Sequence, residues 1–219
     1  MEPLIILFAR APLPGRVKTR LGLQPEVAAE LHHAFVSDTL EMLAPFPAVE
    51  LSTDQPTEAW NGYAVARSVQ CPGDLGAKLY AAISSGLERG YAPVLILGSD
   101  SPTLPASHIQ ALLASTEPAA IGPTDDGGYY AISCRLSAPA MFSGVAWSSP
   151  ETLAMTVEAI TRVGLAVEIG PRWYDVDEPA DLERLSSDPR LPRHSRKALA
   201  DFSGQHAPPE RQRTGKAFE

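Results

Sequence analysis

Cysteine is scarce. Cys71 and Cys134 are the two among 219 residues, and no metal-ligand spacing separates them, which argues against a disulfide scaffold and for a reducing compartment. An apolar run long enough to span a bilayer is missing. The short apolar start carries Glu2 and runs into a basic stretch, unlike a signal peptide. A cytoplasmic, soluble chain with no membrane partner is the expectation. Positive charge is in deficit too: 18 Lys and Arg against 26 Asp and Glu leave a formal charge of -8. Nonspecific affinity for nucleic acid is therefore not expected. Lysine is the rarest charged residue before residue 186, where only Lys18 and Lys78 occur.

What is present is a strand–helix alternation. Strand-length apolar runs are Leu4–Phe8, Ala48–Ser52, Ala64–Val69, Val94–Leu97, Ala119–Ile121, Tyr129–Ser133 and Ala166–Ile169. Helix-period stretches lie between them at Glu26–Leu43, Ala77–Arg89, Ser107–Leu113, Glu151–Val163 and Ala180–Leu185. Pro25 and Ser149-Pro150 open helices, and Gly90 and Gly164 close them. The pattern predicts one α/β domain over residues 1–186, a mostly parallel sheet covered on both faces. "IGPTDDGGYYAIS" (Ile121–Ser133) joins two strands through a Gly-Gly turn with no room for a crossover helix. One strand should therefore run antiparallel. Residues 187–219, rich in Pro, Arg, Ser and Gln, read as a polar basic tail, partly disordered, with a short helix over Ser195–Phe202.

Against the acidic body, "FARAPLPGRVKTRLG" (Phe8–Gly22) sets Arg10, Arg16, Lys18 and Arg20 directly behind the first strand. Ligands of open α/β sheets bind beyond the carboxyl ends of the strands. Neither a Walker A loop nor a spaced-glycine dinucleotide fingerprint is present, since Pro12 and Val17 stand where Walker A needs glycine. Pro12 and Pro14 also remove backbone donors. Side-chain cations on the stiff Pro12–Gly15 frame must then hold a phosphate group. A solvated basic turn is the plainer alternative, disfavoured by the acidic surroundings.

"VLILGSDSP" (Val94–Pro102) ends a strand in Asp100, where a carboxylate could hold Mg2+ together with substrate phosphates. Asp100 fits an Asx-turn or cap before Pro102 equally well. In "YDVDEPADLERL" (Tyr174–Leu185), Pro179 suits the first helical position, Glu178 the cap and Asp181 the first turn. Asp177 is then a second metal candidate or a surface carboxylate beside a helix. His32 and His33 read as packing or surface residues.

Six motifs in order carry a resemblance over about residues 3–186. They are "FARAPLPGRVKTRL", "GDLGAKL" (Gly73–Leu79), "LGSDSPTLP" (Leu97–Pro105), "GPTDDGGYY" (Gly122–Tyr130), "WSSPETL" (Trp147–Leu153) and "DVDEPADL" (Asp175–Leu182). The chain resembles the bacterial GT-A-fold family of rSAM/selenodomain-associated transferase 1, within the nucleotide-diphospho-sugar transferases. The resemblance implies a Rossmann-like GT-A sheet, and nucleotide or phosphate contacts from Arg10, Pro14, Gly15, Arg16, Lys18 and Arg20. It also implies contacts from Gly73, Asp74, Leu75, Gly76 and Lys78, and Mg2+ (or Mn2+) on Asp100 and Asp177. Asp126, Gly127, Gly128 and Tyr129 would face the acceptor. The catalytic set would be Lys18, Arg16 and Asp126. Ser99-Asp100-Ser101 stands where many glycosyltransferases of this fold carry Asp-x-Asp.

Three functions are compatible with these residues. The first is metal-dependent nucleotidyl transfer from a nucleoside triphosphate to a small phosphorylated acceptor, which needs positioning and charge stabilisation rather than a covalent nucleophile. The second is glycosyl transfer from a nucleoside-diphosphate sugar, with Asp126 as base for the acceptor hydroxyl. The third is nucleotide binding without catalysis. The first is preferred because three or four clustered cations suit a triphosphate.

Overall fold

A computed structural model of the chain describes residues 1–205. Strands β1 (Leu4–Ala9), β2 (Val49–Thr53), β3 (Ala66–Val69), β4 (Val94–Leu97), β5 (Ala119–Pro123), β6 (Tyr129–Cys134) and β7 (Val167–Ile169) form one sheet in the order β3-β2-β1-β4-β6-β5-β7. Only β6 opposes the rest, pairing antiparallel with both β4 and β5. Its entry through the short turn after β5 leaves no other direction.

The helices are α1 (Pro25–Leu43), α2 (Leu75–Glu88), α3 (Ala106–Ala114), α4 (Thr152–Arg162), α5 (Pro179–Ser187) and α6 (Arg193–Gln205). Strand residues alternate between two cores. Ile5, Leu7, Leu95 and Leu97 pack with Val36 and Leu40 of α1 and Ile109 and Leu112 of α3. Leu4, Ile6, Val94 and Ile96 pack with Leu79 and Ile83 of α2 and Ile160 of α4 on the opposite face. Period-two side chains meeting helices on both sides are what a parallel sheet requires.

Residues 187–205, expected to begin a loose tail, are instead largely helical. α6 contains the expected short helix Ser195–Phe202, runs longer than it, and docks on α1. Its start is held by Asp38 of α1, whose carboxylate accepts from the backbone N–H of His194 at 2.9 Å and of Ser195 at 2.7 Å. The Ser195 hydroxyl adds a third bond at 2.6 Å. A cap supplied by another helix satisfies orphan N–H groups just as a local one does. The rest of the expected tail lies outside the described residues.

A third, smaller core positions the site. Tyr174 and Val176 are buried with Leu21, Leu31, Phe35 and Leu185. Leu21 of the opening loop and the segment leading into α5 are thereby packed together over α1. No described helix is long and apolar enough to cross a membrane.

Candidate active site

The opening loop leaves the end of β1 and is tied down at once. The Ala11 N–H donates to Asp54 Oδ1 at 2.7 Å, and the buried His32 ring bonds the Arg10 carbonyl at 3.0 Å. Burial lowers the pKa of His32, with the nearby Asp100 charge acting in opposition, so the ring is neutral and structural. His33 stacks on Trp60 at 5.2 Å. The loop turns through three left-handed residues, Gly15 (φ 72°), Lys18 (φ 50°) and Gly22 (φ 69°). Glycine takes that conformation freely, whereas a lysine there needs surrounding contacts to hold it. Asp100, the Val176 carbonyl and the Phe35 ring supply them, with Val17 and Leu21 buried on either side at 4% and 2% exposure.

Lys18 therefore points inward. Its side chain is 3% exposed, and its ammonium is ion-paired with Asp100 and 3.7 Å from Asp177 Oδ1. It also donates to the Val176 carbonyl at 2.6 Å and lies 5.5 Å from the Phe35 ring centre. Lys18, expected among the phosphate contacts, here makes its contacts with the protein's own carboxylates and the Val176 carbonyl. The loop's apolar flanks, Val17 and Leu21, are buried with it, so its stem lies below the surface. Arg10, Arg16 and Arg20 remain exposed around it. Arg10 reaches the Arg16 carbonyl at 3.4 Å, and Arg20 sits 3.2 Å from Asp177 Oδ2.

Asp100 and Asp177 meet because residues 173–177 run along the ends of β4 and β5. The Trp173 N–H donates to the Pro123 carbonyl at 3.0 Å, and the Val176 N–H to the Asp100 carbonyl at 2.9 Å. With Tyr174 and Val176 buried, Asp175 and Asp177 emerge on alternate positions. The helix that follows confirms the capping assignment. Asp181 Oδ2 accepts from the N–H of Glu178 at 2.8 Å and of Asp177 at 3.0 Å. The Asp177 carboxylate is thus free of capping duty and pairs with Lys18 and Arg20. Asp100 likewise caps nothing: its side chain pairs with Lys18.

Asp175 is the site residue that the sequence reading passed over. Burial, then the charges of Asp126 and Asp100, push its carboxyl up to about 6 despite Lys18 and its own backbone hydrogen bond. At Asp100, partial desolvation works upward, but the charge and hydrogen bond of Lys18, then His32 and Arg10, hold the carboxyl below its ordinary value. Asp175 thus feels the carboxylates of Asp126 and Asp100 and the ammonium of Lys18 together. The spacing of "YDVD" was the available signal for Asp175.

Asp126 sits in the turn between β5 and β6. Its Oδ1 accepts from the Thr124 hydroxyl at 2.5 Å and the Gly128 N–H at 2.9 Å. The turn is tethered by an Asp125–Arg184 pair at 2.9 Å and by Arg172 donating to the Thr124 carbonyl at 2.7 Å. Gly127 (φ 90°) packs so closely on Pro150 that a Cβ would come within 2.0 Å of its carbonyl oxygen. Tyr129, expected to face the acceptor, turns its ring into the core on the α2/α4 face, its hydroxyl buried. Strand alternation puts it there.

The Gly73–Lys78 segment serves structure in part. Asp74 caps α2 by accepting from the Ala77 N–H at 2.8 Å. Gly76 is buried, and a Cβ on it would come within 3.1 Å of Phe142 and Trp147. Gly73 (φ 120°) and Leu75 remain exposed, and Lys78 is half-buried. No hydrogen bond or ion pair among the described residues joins this segment to Lys18, Asp100 or Asp177.

Residues 39–149 match the model of a family described as an uncharacterized protein conserved in bacteria (DUF2064). The chain is also similar to a candidate nucleotide-diphospho-sugar transferase from Desulfovibrio desulfuricans G20, at 31% identity and TM-score 0.83, over 93% of this chain and 96% of that one. A cytidylyltransferase from Leptospira borgpetersenii serovar Hardjo-bovis shares the fold at 14% identity, TM-score 0.54, with 94% and 95% covered. So does a CMP:2-keto-3-deoxy-manno-octonic acid synthetase complexed with CTP, at 14% identity, TM-score 0.53, with 92% and 100% covered. No curated protein matches the chain. The architecture is that of the nucleotide-diphospho-sugar transferases, with a mixed seven-stranded sheet and helices on both faces.

Proposed function

The chain belongs to the DUF2064 family, and from that premise we propose that it is a transferase acting on a nucleotide donor, with the cleft around Asp100 and Asp177 as its active site. One observation carries the reading. The loop after β1 and the carboxylates after β4 and before α5, far apart in sequence, converge at the carboxyl edge of the sheet.

Nucleotidyl transfer is the preferred reaction. An oxygen of a phosphorylated acceptor would attack the α-phosphorus of a nucleoside triphosphate, forming the new P–O bond as the bond to pyrophosphate breaks. Arg10, Arg16 and Arg20 would bind the phosphates from the rim, where guanidinium groups suit phosphate geometry. Such a reaction asks for alignment and charge neutralisation, and an acceptor phosphate needs no base. The donor set fits Mg2+ or Mn2+: two hard carboxylate groups from separate segments, 49% and 41% exposed, leave room for phosphate oxygens and water. The ion, when bound to Asp100 and Asp177, would supply charge neutralisation.

Glycosyl transfer is the second reading, favoured by the name of the 31% identical relative. Asp126 would then be the base for an acceptor hydroxyl. Both of its hydrogen bonds fall on Oδ1, which holds the carboxylate in place and leaves Oδ2 for the proton.

Thermal-shift titration with nucleoside triphosphates and nucleotide sugars, with and without Mg2+, tests the reading. Stabilisation by a triphosphate, followed by pyrophosphate release with a phosphorylated acceptor, supports nucleotidyl transfer. Stabilisation by one nucleotide sugar, with nucleoside diphosphate release, reverses the order. No shift with any nucleotide removes the transferase reading.

A further inference from the structure

The Lys18 ammonium occupies the position between two carboxylates where a cation would be expected. We infer that Lys18 is a positioning residue for the carboxylate pair, a built-in counter-ion that sets how strongly Asp100 and Asp177 attract a divalent cation. The inference rests on the same cleft as the proposed function but assigns Lys18 a different task from phosphate binding.

Three features carry it. First, the ammonium is locked from below by the Val176 carbonyl at 2.6 Å and by the buried loop around it, while the carboxylates it touches are about half exposed. The lysine therefore forms the floor of the pair, and solvent reaches Asp100 and Asp177 from the other side. Second, the loop holds Lys18 in a left-handed conformation that a lysine adopts only under constraint. A side chain meant to follow a phosphate would not need a fixed, buried stem. Third, Arg20 reaches the second oxygen of Asp177 from the rim at 3.2 Å, so that carboxylate faces a cation on each side.

The physical consequence concerns affinity. Two carboxylates with no cation between them repel and would capture a divalent ion readily. With the ammonium present, much of that field is neutralised, and a free ion gains little. Phosphate oxygens arriving with the donor add negative charge on the solvent side and restore the attraction. Lys18 thus makes cation binding depend on the donor while keeping the carboxylates aligned in its absence.

The test measures Mn2+ binding without nucleotide, by electron paramagnetic resonance and calorimetry, on the full chain and on Lys18→Gln, Lys18→Arg and Lys18→Gln/Asp177→Asn. Glutamine keeps a polar donor, one bond shorter than the lysine, but its charge is gone. Lys18→Gln should bind Mn2+ about tenfold or more tightly than the parent, the scale of an opposite charge at contact distance. Its melting temperature in chelator should fall and then recover on adding Mn2+. Lys18→Arg should behave like the parent, and the double variant should lose the gain. Unchanged Mn2+ affinity in Lys18→Gln, or loss of folding that Mn2+ does not repair, overturns the inference. The proposed function fails separately, if nucleotides do not stabilise the parent protein whatever Lys18→Gln does with Mn2+.

Discussion

The N–H of Val176 donates to the carbonyl of Asp100 at 2.9 Å, while the carbonyl of the same Val176 accepts from Lys18 at 2.6 Å. One peptide segment thereby fastens the end of the central strand to the opening loop. It also fixes the distance between Asp100 and Asp177, because Asp177 is the next residue along. Loss of either bond would separate the carboxylates without touching them.

Arg16 is the cleanest probe of phosphate binding, since it is exposed and Lys18 is not. Arg16→Ala should leave the melting temperature unchanged and weaken nucleotide binding by about 1–3 kcal/mol, the range of a charge-assisted bond. Calorimetry with a nucleoside triphosphate checks it. A stability loss without an affinity loss would return the loop to a purely structural role.

Asp177 and Asp181 stand four residues apart and should fail differently. Asp181 accepts two backbone N–H groups at the start of α5. Asp181→Ala should cost roughly 1 kcal/mol of stability, as lost caps do. Asp177→Asn should change stability little, because Lys18 keeps Asp100, but should depress turnover steeply. Denaturant unfolding and an assay of product release on both variants separate capping from catalysis.

Asp175 predicts a pH effect. Its folded pKa, about 6, lies above the ordinary carboxylate value, so the folded state binds the extra proton between the two. Stability from this group is full below the ordinary value and is lost as pH rises through about 6. Asp175→Asn should therefore be more stable than the parent at pH 8, by about 1 kcal/mol after allowing for solvent screening. The gain should vanish near pH 4. Urea unfolding at the two pH values measures it, and an equal difference at both would exclude Asp175 as the cause.

Gly127 predicts a packing failure in the turn that carries Asp126. A Cβ there would lie 2.0 Å from the Pro150 carbonyl oxygen, on a backbone with φ 90°. Gly127→Ala should destabilise by roughly 2–4 kcal/mol through overpacking and backbone strain together. Gly15→Ala has an open position at φ 72° and should cost less, about 1 kcal/mol. Thermal melts of the two variants give the comparison.

The elements themselves were legible in the sequence. Every expected strand and helix has a counterpart, because apolar spacing of 2 and 3.6 residues and the punctuation of Pro25, Pro179 and the Gly-Gly turn are local signals. The antiparallel strand was legible too, since a connection that short allows no other direction. The length of α6 was not: its start is capped by Asp38, a partner 156 positions away for His194.

The sequence by itself determined that cations and carboxylates would gather at the carboxyl edge of one sheet, because strand ends and loop composition are written residue by residue. Tertiary structure alone decided what they do to each other. Lys18 meets Val176 across 158 positions, and its burial comes from packing by Val17, Leu21 and Phe35, not from its own charge. Tyr129 packs in the core on the α2/α4 face of the sheet, and Gly76 lies tight against Phe142 and Trp147 of the same core. Local periodicity sets which residues emerge at an edge, whereas charge pairing and close packing depend on segments that only folding brings together.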